Sequence, residues 1–248
     1  MRQRKPLVVA NWKMNGDQCL AHQVSDSLAA LSGSLPDILI CPPVIFLPNF
    51  PKHPHYSLGA QNLSEQAAGA FTGEISAVML AQAGASHVIV GHSERRTLFG
   101  ETNQQVTKKV EQALDAGLKP ILCIGETASQ RSEEKTFQVL AEQLDAVYSA
   151  QPQWLEASVV AYEPLWAIGT GNTATPEQAQ QVHAFIRQHL TQYSADAAAA
   201  LRILYGGSVN AGNSEALFAQ ADVDGALIGG ASLNAAEFAA ICLSAKGE

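Results

Sequence analysis

The chain has 248 residues, 47% hydrophobic and 15% charged, with 19 Gly and 11 Pro. That is enough apolar material for a full core, and it excludes a disordered or collagen-like chain; no run approaches the roughly 18 apolar residues of a membrane span. Fifteen Lys and Arg against 23 Asp and Glu give a net charge of −8, which argues against general nucleic-acid binding, since that affinity comes largely from neutralised phosphate.

The start is basic, but Leu7–Ala10 is too short for a signal-peptide core, so a cytoplasmic protein is expected. Leu7–Trp12 predicts a first buried strand, followed by a helical pattern over Cys19–Leu31. Strand Ile38–Cys41, a weak segment Phe46–Phe50 broken by Pro48, strand Ser57–Ala60 and helix Ser76–Ala83 come next. Then follow strand Val88–Val90, helix Thr102–Ala116, strand Ile121–Ile124, helix Glu133–Tyr148 and strand Val159–Tyr162. Helix Pro176–Tyr193, strand Ile203–Tyr205, helix Ser214–Gln220, strand Ala226–Ile228 and helix Ala235–Leu243 complete the series. Thr175-Pro176-Glu177-Gln178 carries a full helix start: a hydroxyl at the N-cap, Pro at the first position and Gln at the capping-box position. Gly84 and Gly117 read as helix ends, and Ala197–Ala200 as an exposed loop or a helix end.

Strands this short and continuously apolar predict a parallel sheet covered on both faces. Eight strand–helix units of about 31 residues suit an eightfold barrel, although an open doubly wound sheet alternates in the same way. No linker divides the chain, so 1–248 is expected to be one domain.

In such a barrel the chemistry sits at the strand C-termini. After the first strand, Asn11 and Lys13 share a face if the strand continues; a frayed end with a solvated lysine is the alternative. After the fourth come His92 and Glu94, again on one face if extended, with Glu94 able to pair with Lys13; a charged surface loop fits as well. After the sixth, Glu163 precedes Pro164 and is pushed to extended backbone at the barrel mouth. The apolar stretch that follows, with Leu165, Trp166 and Ile168, reads as a lid or as a permanently packed loop. The pairs Gly206-Gly207 and Gly229-Gly230 end the last two strands, where backbone N–H groups can cradle an anion or simply make tight turns.

Gly169-Thr170-Gly171-Asn172-Thr173-Ala174 matches a dinucleotide fingerprint. It does not open the helix, however, and the acidic residue it needs, Asp196, does not end a strand. His53 and His55 have no further ligands at metal spacing, so no metal is expected. The four cysteines lie far apart and read as mostly core, and His183 and His189 read as solvent-facing.

The strings Asn11–Asn15, Gly91–Arg96, Ala161–Gly171, Tyr205–Val209 and Gly225–Gly230, in this order, resemble the triosephosphate isomerase family over nearly the whole chain. The resemblance implies a (β/α)8 barrel that interconverts dihydroxyacetone phosphate and glyceraldehyde 3-phosphate without cofactor or metal. It implies Glu163 as the base, His92 as a neutral electrophile, Lys13 as the fixed positive charge and Asn11 as a substrate-binding amide. Gly169, Ser208, Gly229 and Gly230 correspond to the phosphate-binding N–H donors, and Glu94 to a buried partner of the cluster. Ile168 and Leu227 correspond to the residues that press on the base. It further implies a homodimer, with Phe71 and Thr72 at the tip of a loop that inserts near the partner's site. Two other classes stay open at this point: a phosphate-binding aldolase using Lys13 as a Schiff base, and a catalytically inactive barrel.

Overall fold

The computed structural model describes residues 4–167 and 173–245. Its elements are β1 (Leu7–Asn11), α1 (Gln18–Ala29), β2 (Asp37–Cys41), β3 (Ser57–Ala60), α2 (Ala77–Gln82), β4 (Ala85–Val90), α3 (Ser93–Leu98), α4 (Asn103–Asp115) and β5 (Lys119–Ile124). They continue with α5 (Ala128–Ser132), α6 (Thr136–Tyr148), β6 (Val159–Tyr162), α7 (Pro176–Leu190), α8 (Ala195–Ala200), β7 (Ile203–Tyr205), α9 (Ser214–Phe218), β8 (Gly225–Ile228) and α10 (Ala235–Ser244). Each strand pairs in parallel with the next, and β8 returns to β1 from Leu7↔Gly225 to Ala10↔Ile228. This closure selects the (β/α)8 barrel over the open sheet. It also needs a glycine at the seam: Gly225 has φ +136°, and a Cβ there would lie 1.9 Å from the Leu7 carbonyl oxygen.

Alternation along the strands sorts the core into two layers. Val8, Ala10, Ile38, Ile40, Val88 and Val90 face outward, in one buried cluster with Val24 and Leu28 of α1 and Val106 of α4. Leu7, Val9, Leu39, Ile89, Ile121 and Leu204 fill the barrel interior. Both faces are covered, which is why the strands read as unbroken apolar runs. None of the helices among the described residues is long and apolar enough to cross a membrane.

The capping box predicted at Thr175 forms: its side chain accepts the Gln178 N–H, and the Gln178 side chain accepts the Thr175 N–H. Thr102 with Gln105 caps α4 in the same way. A third box, Thr127 with Gln130, starts α5, which the sequence reading did not include. Glu134, at φ +57°, lies between α5 and α6, so the helix expected over Glu133–Tyr148 begins only at Thr136. Val44–Asn49 forms a 3-10 turn around Pro48. Ala195–Ala200 is a helix, not an exposed loop: Ser194 caps it, and Ala197 and Ala198 are buried.

Two histidines do not face solvent as expected. His183 is fully buried, because Ala179, Val182, His183, Ile186 and Leu190 form the inward stripe of α7. His189 is partly buried and meets Asp145 of α6 across the helix pair, with Nε2 2.6 Å from Oδ1.

Candidate active site

The C-terminal ends of the strands surround a cavity of about 320 Å³, lined by Asn11, Lys13, His92, Glu163, Ser208 and Leu227 together with both Gly-Gly pairs. Residues 168–172 lie outside the described part, so the positions expected for Ile168 and Gly169 do too. A larger cleft, about 460 Å³, opens elsewhere between Lys5, Asp37, His87 and Arg202. There Asp37 already pairs with both Lys5 and Arg202, and no imidazole meets a carboxylate as His92 meets Glu163.

β1 ends at Asn11, so Asn11 and Lys13 do not lie on one extended strand face. A turn brings them together instead. Lys13 adopts φ +52°, a left-handed conformation that costs a non-glycine residue about 1–2 kcal/mol. Two bonds on its flanking peptides offset this, the second from a side chain that is itself anchored on β2. The Lys13 N–H donates to Asn11 Oδ1 at 3.1 Å, and Gln61 Nε2 donates to the Lys13 carbonyl at 2.8 Å and to the Cys41 carbonyl at 2.9 Å. Because Asn11 Oδ1 is used in this way, its NH2 is the end suited to a ligand.

His92 does not continue β4 as extended chain. It caps α3, and its Nδ1 accepts the Glu94 N–H at 3.2 Å. An accepting Nδ1 carries no proton, so the ring is neutral with its hydrogen on Nε2. That Nε2 lies 3.0 Å from Glu163 Oε1. Glu94 pairs with Lys13 Nζ at 2.5 Å, but its side chain is 42% exposed, so the buried partner expected here is a rim residue. It leaves the interior because α3 turns the chain outward directly after His92.

Glu163 is 2% exposed and is held by Ser93, whose N–H donates to Oε2 at 2.9 Å and whose hydroxyl donates to Oε1 at 3.1 Å. Gly206 makes room beside it, since a Cβ there would lie 2.9 Å from Glu163 Cγ. Nearby, burial and then the Glu163 charge push the Cys123 thiol well up, so it stays protonated. Leu227 is buried at the cavity wall. The Ser208 hydroxyl donates to the Ala167 carbonyl at 3.1 Å, which ties the β7 mouth to the chain after Glu163.

The sequence points to no role for Ser93 or Glu126, and places Gln61 only at the start of the dimer loop, not at Lys13. Glu126 is fully buried and accepts from Tyr162 Oη at 3.0 Å and Trp166 Nε1 at 2.9 Å, with Arg131 at 3.3 Å. Beyond residues 168–172, the Ala174 N–H donates to Tyr205 Oη at 3.3 Å. Burial, and also the Glu126 charge, raises both phenols and keeps them protonated. A Glu directly after Gly125 at the end of the fifth apolar run was the available signal for Glu126, since barrel sites draw on every strand end.

No group of three or more His, Cys, Asp or Glu among the described residues could hold a metal ion. What the cavity offers is a carboxylate touching a neutral imidazole N–H, an ammonium, an amide, and glycine-rich backbone. Together these can take a carbon-bound proton, stabilise an oxyanion and hold a small anion.

The family model for triosephosphate isomerase matches residues 6–245. A triosephosphate isomerase of Alcanivorax borkumensis is 52% identical over 246 residues, covering 98% of this chain and 99% of that protein. One of Pseudoalteromonas translucida is 50% identical over 248 residues, covering 100% and 99%. One of Shewanella amazonensis is 47% identical over 254 residues, covering 98% of both.

Proposed function

The chain belongs to the triosephosphate isomerase family, and from this membership we propose that it interconverts dihydroxyacetone phosphate and D-glyceraldehyde 3-phosphate, a step of glycolysis and gluconeogenesis, with Glu163 as the base. The 3.0 Å contact between Glu163 and the His92 Nε2–H inside the cavity carries the assignment of roles.

Glu163 leaves its Ser93 donors and takes a proton from the carbon next to the substrate carbonyl. The C–H electron pair forms the enediolate double bond, and the carbonyl pair moves onto oxygen. His92 donates from Nε2 to that oxygen, and Asn11 and Lys13 stabilise the charge. His92, having given its Nε2 proton to the first oxygen, takes the proton of the neighbouring hydroxyl; Glu163 returns its proton to the carbon that bore the carbonyl, the double-bond pair forming that C–H bond and the second oxygen's pair the new carbonyl. Lys13 and the backbone of Ser208, Gly229, Gly230 and Gly169 hold the phosphate, Glu94 orients Lys13, and Leu227 with Ile168 keeps water from the base. Base and electrophile are both side chains, so the reaction calls for no cofactor or metal. An ammonium paired with Glu94 is a poor amine nucleophile, which opposes the Schiff-base alternative.

The working unit in this reading is a cytoplasmic homodimer of single-domain chains spanning 1–248. The β1–β8 pairing supports one domain, because the barrel needs both ends of the chain. Met14, Ile45, Phe71, Val78 and Met79 follow β1, β2 and β3 and are large apolar side chains left in water, 95% exposed for Met14, which supports a partner across the Phe71–Thr72 loop.

A coupled assay with glyceraldehyde 3-phosphate tests the activity, and Glu163→Gln tests the base. The amide should still bind a substrate analogue, while turnover falls by about 10²–10⁴. Retention of more than about a tenth of the rate would remove Glu163 from this role.

A further inference from the structure

His183 is the buried ionisable ring that the reaction above does not use. Its Nδ1 lies 3.1 Å from the Asp222 carbonyl, which can only accept, so Nδ1 carries the hydrogen and Nε2 the lone pair. Among the described residues Nε2 has no hydrogen-bond partner. The ring therefore has one polar tie, to the chain just before β8, and otherwise works by its shape.

That shape lies between two phenols. The His183 ring meets Tyr162 edge-on, with centroids 5.9 Å apart at 85°, and Tyr205 at 6.4 Å and 38°. Tyr162 and Tyr205 are paired residues of neighbouring strands, β6 and β7. Tyr162 immediately precedes Glu163, and its carbonyl accepts the Gly206 N–H at 2.7 Å. Its hydroxyl shares Glu126 with Trp166, three residues beyond Glu163. The Tyr205 hydroxyl receives the Ala174 N–H. One imidazole thus backs two side chains: Tyr162, adjacent to Glu163 and joined through Glu126 to Trp166, and Tyr205, which holds the chain again at Ala174.

We infer that His183 is a positioning residue for the isomerisation: its ring sets the separation of Tyr162 and Tyr205, and through them the placement of Glu163 relative to the substrate carbon. Burial lowers its pKa to about 4, so it remains neutral, and the spacing it enforces does not change with charge through the neutral range.

This inference rests on Glu163 being the base. Removing the ring opens a gap behind the tyrosines, and displacement by about 1 Å at the reacting atoms can cost on the order of 10²-fold in rate. The experiment compares kcat, KM and analogue binding for His183→Ala, His183→Asn and His183→Phe, with Glu163→Gln alongside, each measured on folded protein well below its melting temperature. His183→Asn keeps a donor for the Asp222 carbonyl and loses the ring; His183→Phe keeps a ring and loses the donor. The Ala and Asn variants should lose about ten- to a hundredfold in kcat with little change in KM, and Phe should recover most of it. Turnover then follows the ring, whatever the order of melting temperatures. A purely structural residue would lower stability and leave kcat of the folded enzyme alone. Wild-type kcat in His183→Asn overturns the inference, whether or not the Phe variant folds. So does a folded Phe variant as slow as Ala. If Glu163→Gln keeps wild-type turnover, it is the base assignment that fails; loss in that variant with wild-type kcat in His183→Asn removes only the part given to His183.

Discussion

Ser93 holds Glu163 at two points, its N–H on Oε2 and its hydroxyl on Oε1. The carboxylate rests on these two bonds and on the His92 Nε2–H, and as the proposed base it exchanges the Ser93 bonds for the substrate, so the length of its side chain matters at both ends of the movement. Glu163→Asp, shorter by one methylene, should lower kcat by about 10²-fold while KM changes little, because misplacement affects the proton transfer more than binding. Steady-state kinetics decide it. A comparable loss carried by KM would mean that Glu163 serves binding.

Gln61 ties the carbonyls of Lys13 and Cys41 together and holds Lys13 in its left-handed conformation. Gln61→Leu removes both donors at similar bulk. Lys13 is then expected to relax, with kcat/KM falling by about ten- to a hundredfold and far-ultraviolet circular dichroism unchanged. Full activity in the Leu variant would show that the remaining contacts of Lys13 suffice.

Burial holds His87 and His183 down to about 4 in the folded protein, with Arg202 and Lys119 adding to the effect at His87. Unfolded histidine titrates near 6.5, so between those values the unfolded chain binds protons that the fold refuses. Their contribution is complete above about pH 6.5 and is lost as pH falls, at about 1.4 kcal/mol per pH unit for each ring. Glu101 and Asp222, held below the usual carboxylate range by Lys109 and Arg95 and by Arg187 and Gln180, lose theirs only at lower pH. Urea midpoints at pH 7, 6 and 5, at fixed protein concentration, should therefore decline. His87→Leu should show a slope smaller by about one ring's share, and an unchanged slope would refute the assignment.

Thr72 is exposed beside Phe71 at the loop tip. Thr72→Arg places a charge where the proposed partner would bury the loop, at a cost of a few kcal/mol if unpaired. Sedimentation should show monomers, with activity per chain much reduced. Fully active monomers would separate the site from dimerisation.

The strand pattern was legible because each strand is buried on both faces, and the capping box at Thr175 because its three residues act locally. His183 of α7 was misread from its polarity, although its spacing from Ala179, Val182, Ile186 and Leu190 puts it on the apolar stripe. Asn11, Lys13, His92 and Glu163 do meet at one cavity, but Asn11, Lys13 and His92 do so without the extended strand geometry expected of them. Two local backbone events, the left-handed Lys13 and the cap made by His92, turn the chain there. Neither follows from residue type alone, since both depend on partners supplied by distant strands or by the folded helix end. The exposure of Glu94 follows from the same turn.

Closure of β8 against β1 also has a consequence in time. Asn11 and Lys13 belong to the first strand and turn to leave the ribosome, and Gly229 and Gly230, which share their cavity, to the last. At translation rates of about 5–20 residues per second, the first part of the site waits roughly 10 to 40 s for the final part. During that interval the β1 edge, later covered by Gly225–Ile228, has no partner on that side. The nascent chain must keep this strand from pairing with other chains until its own last strand arrives.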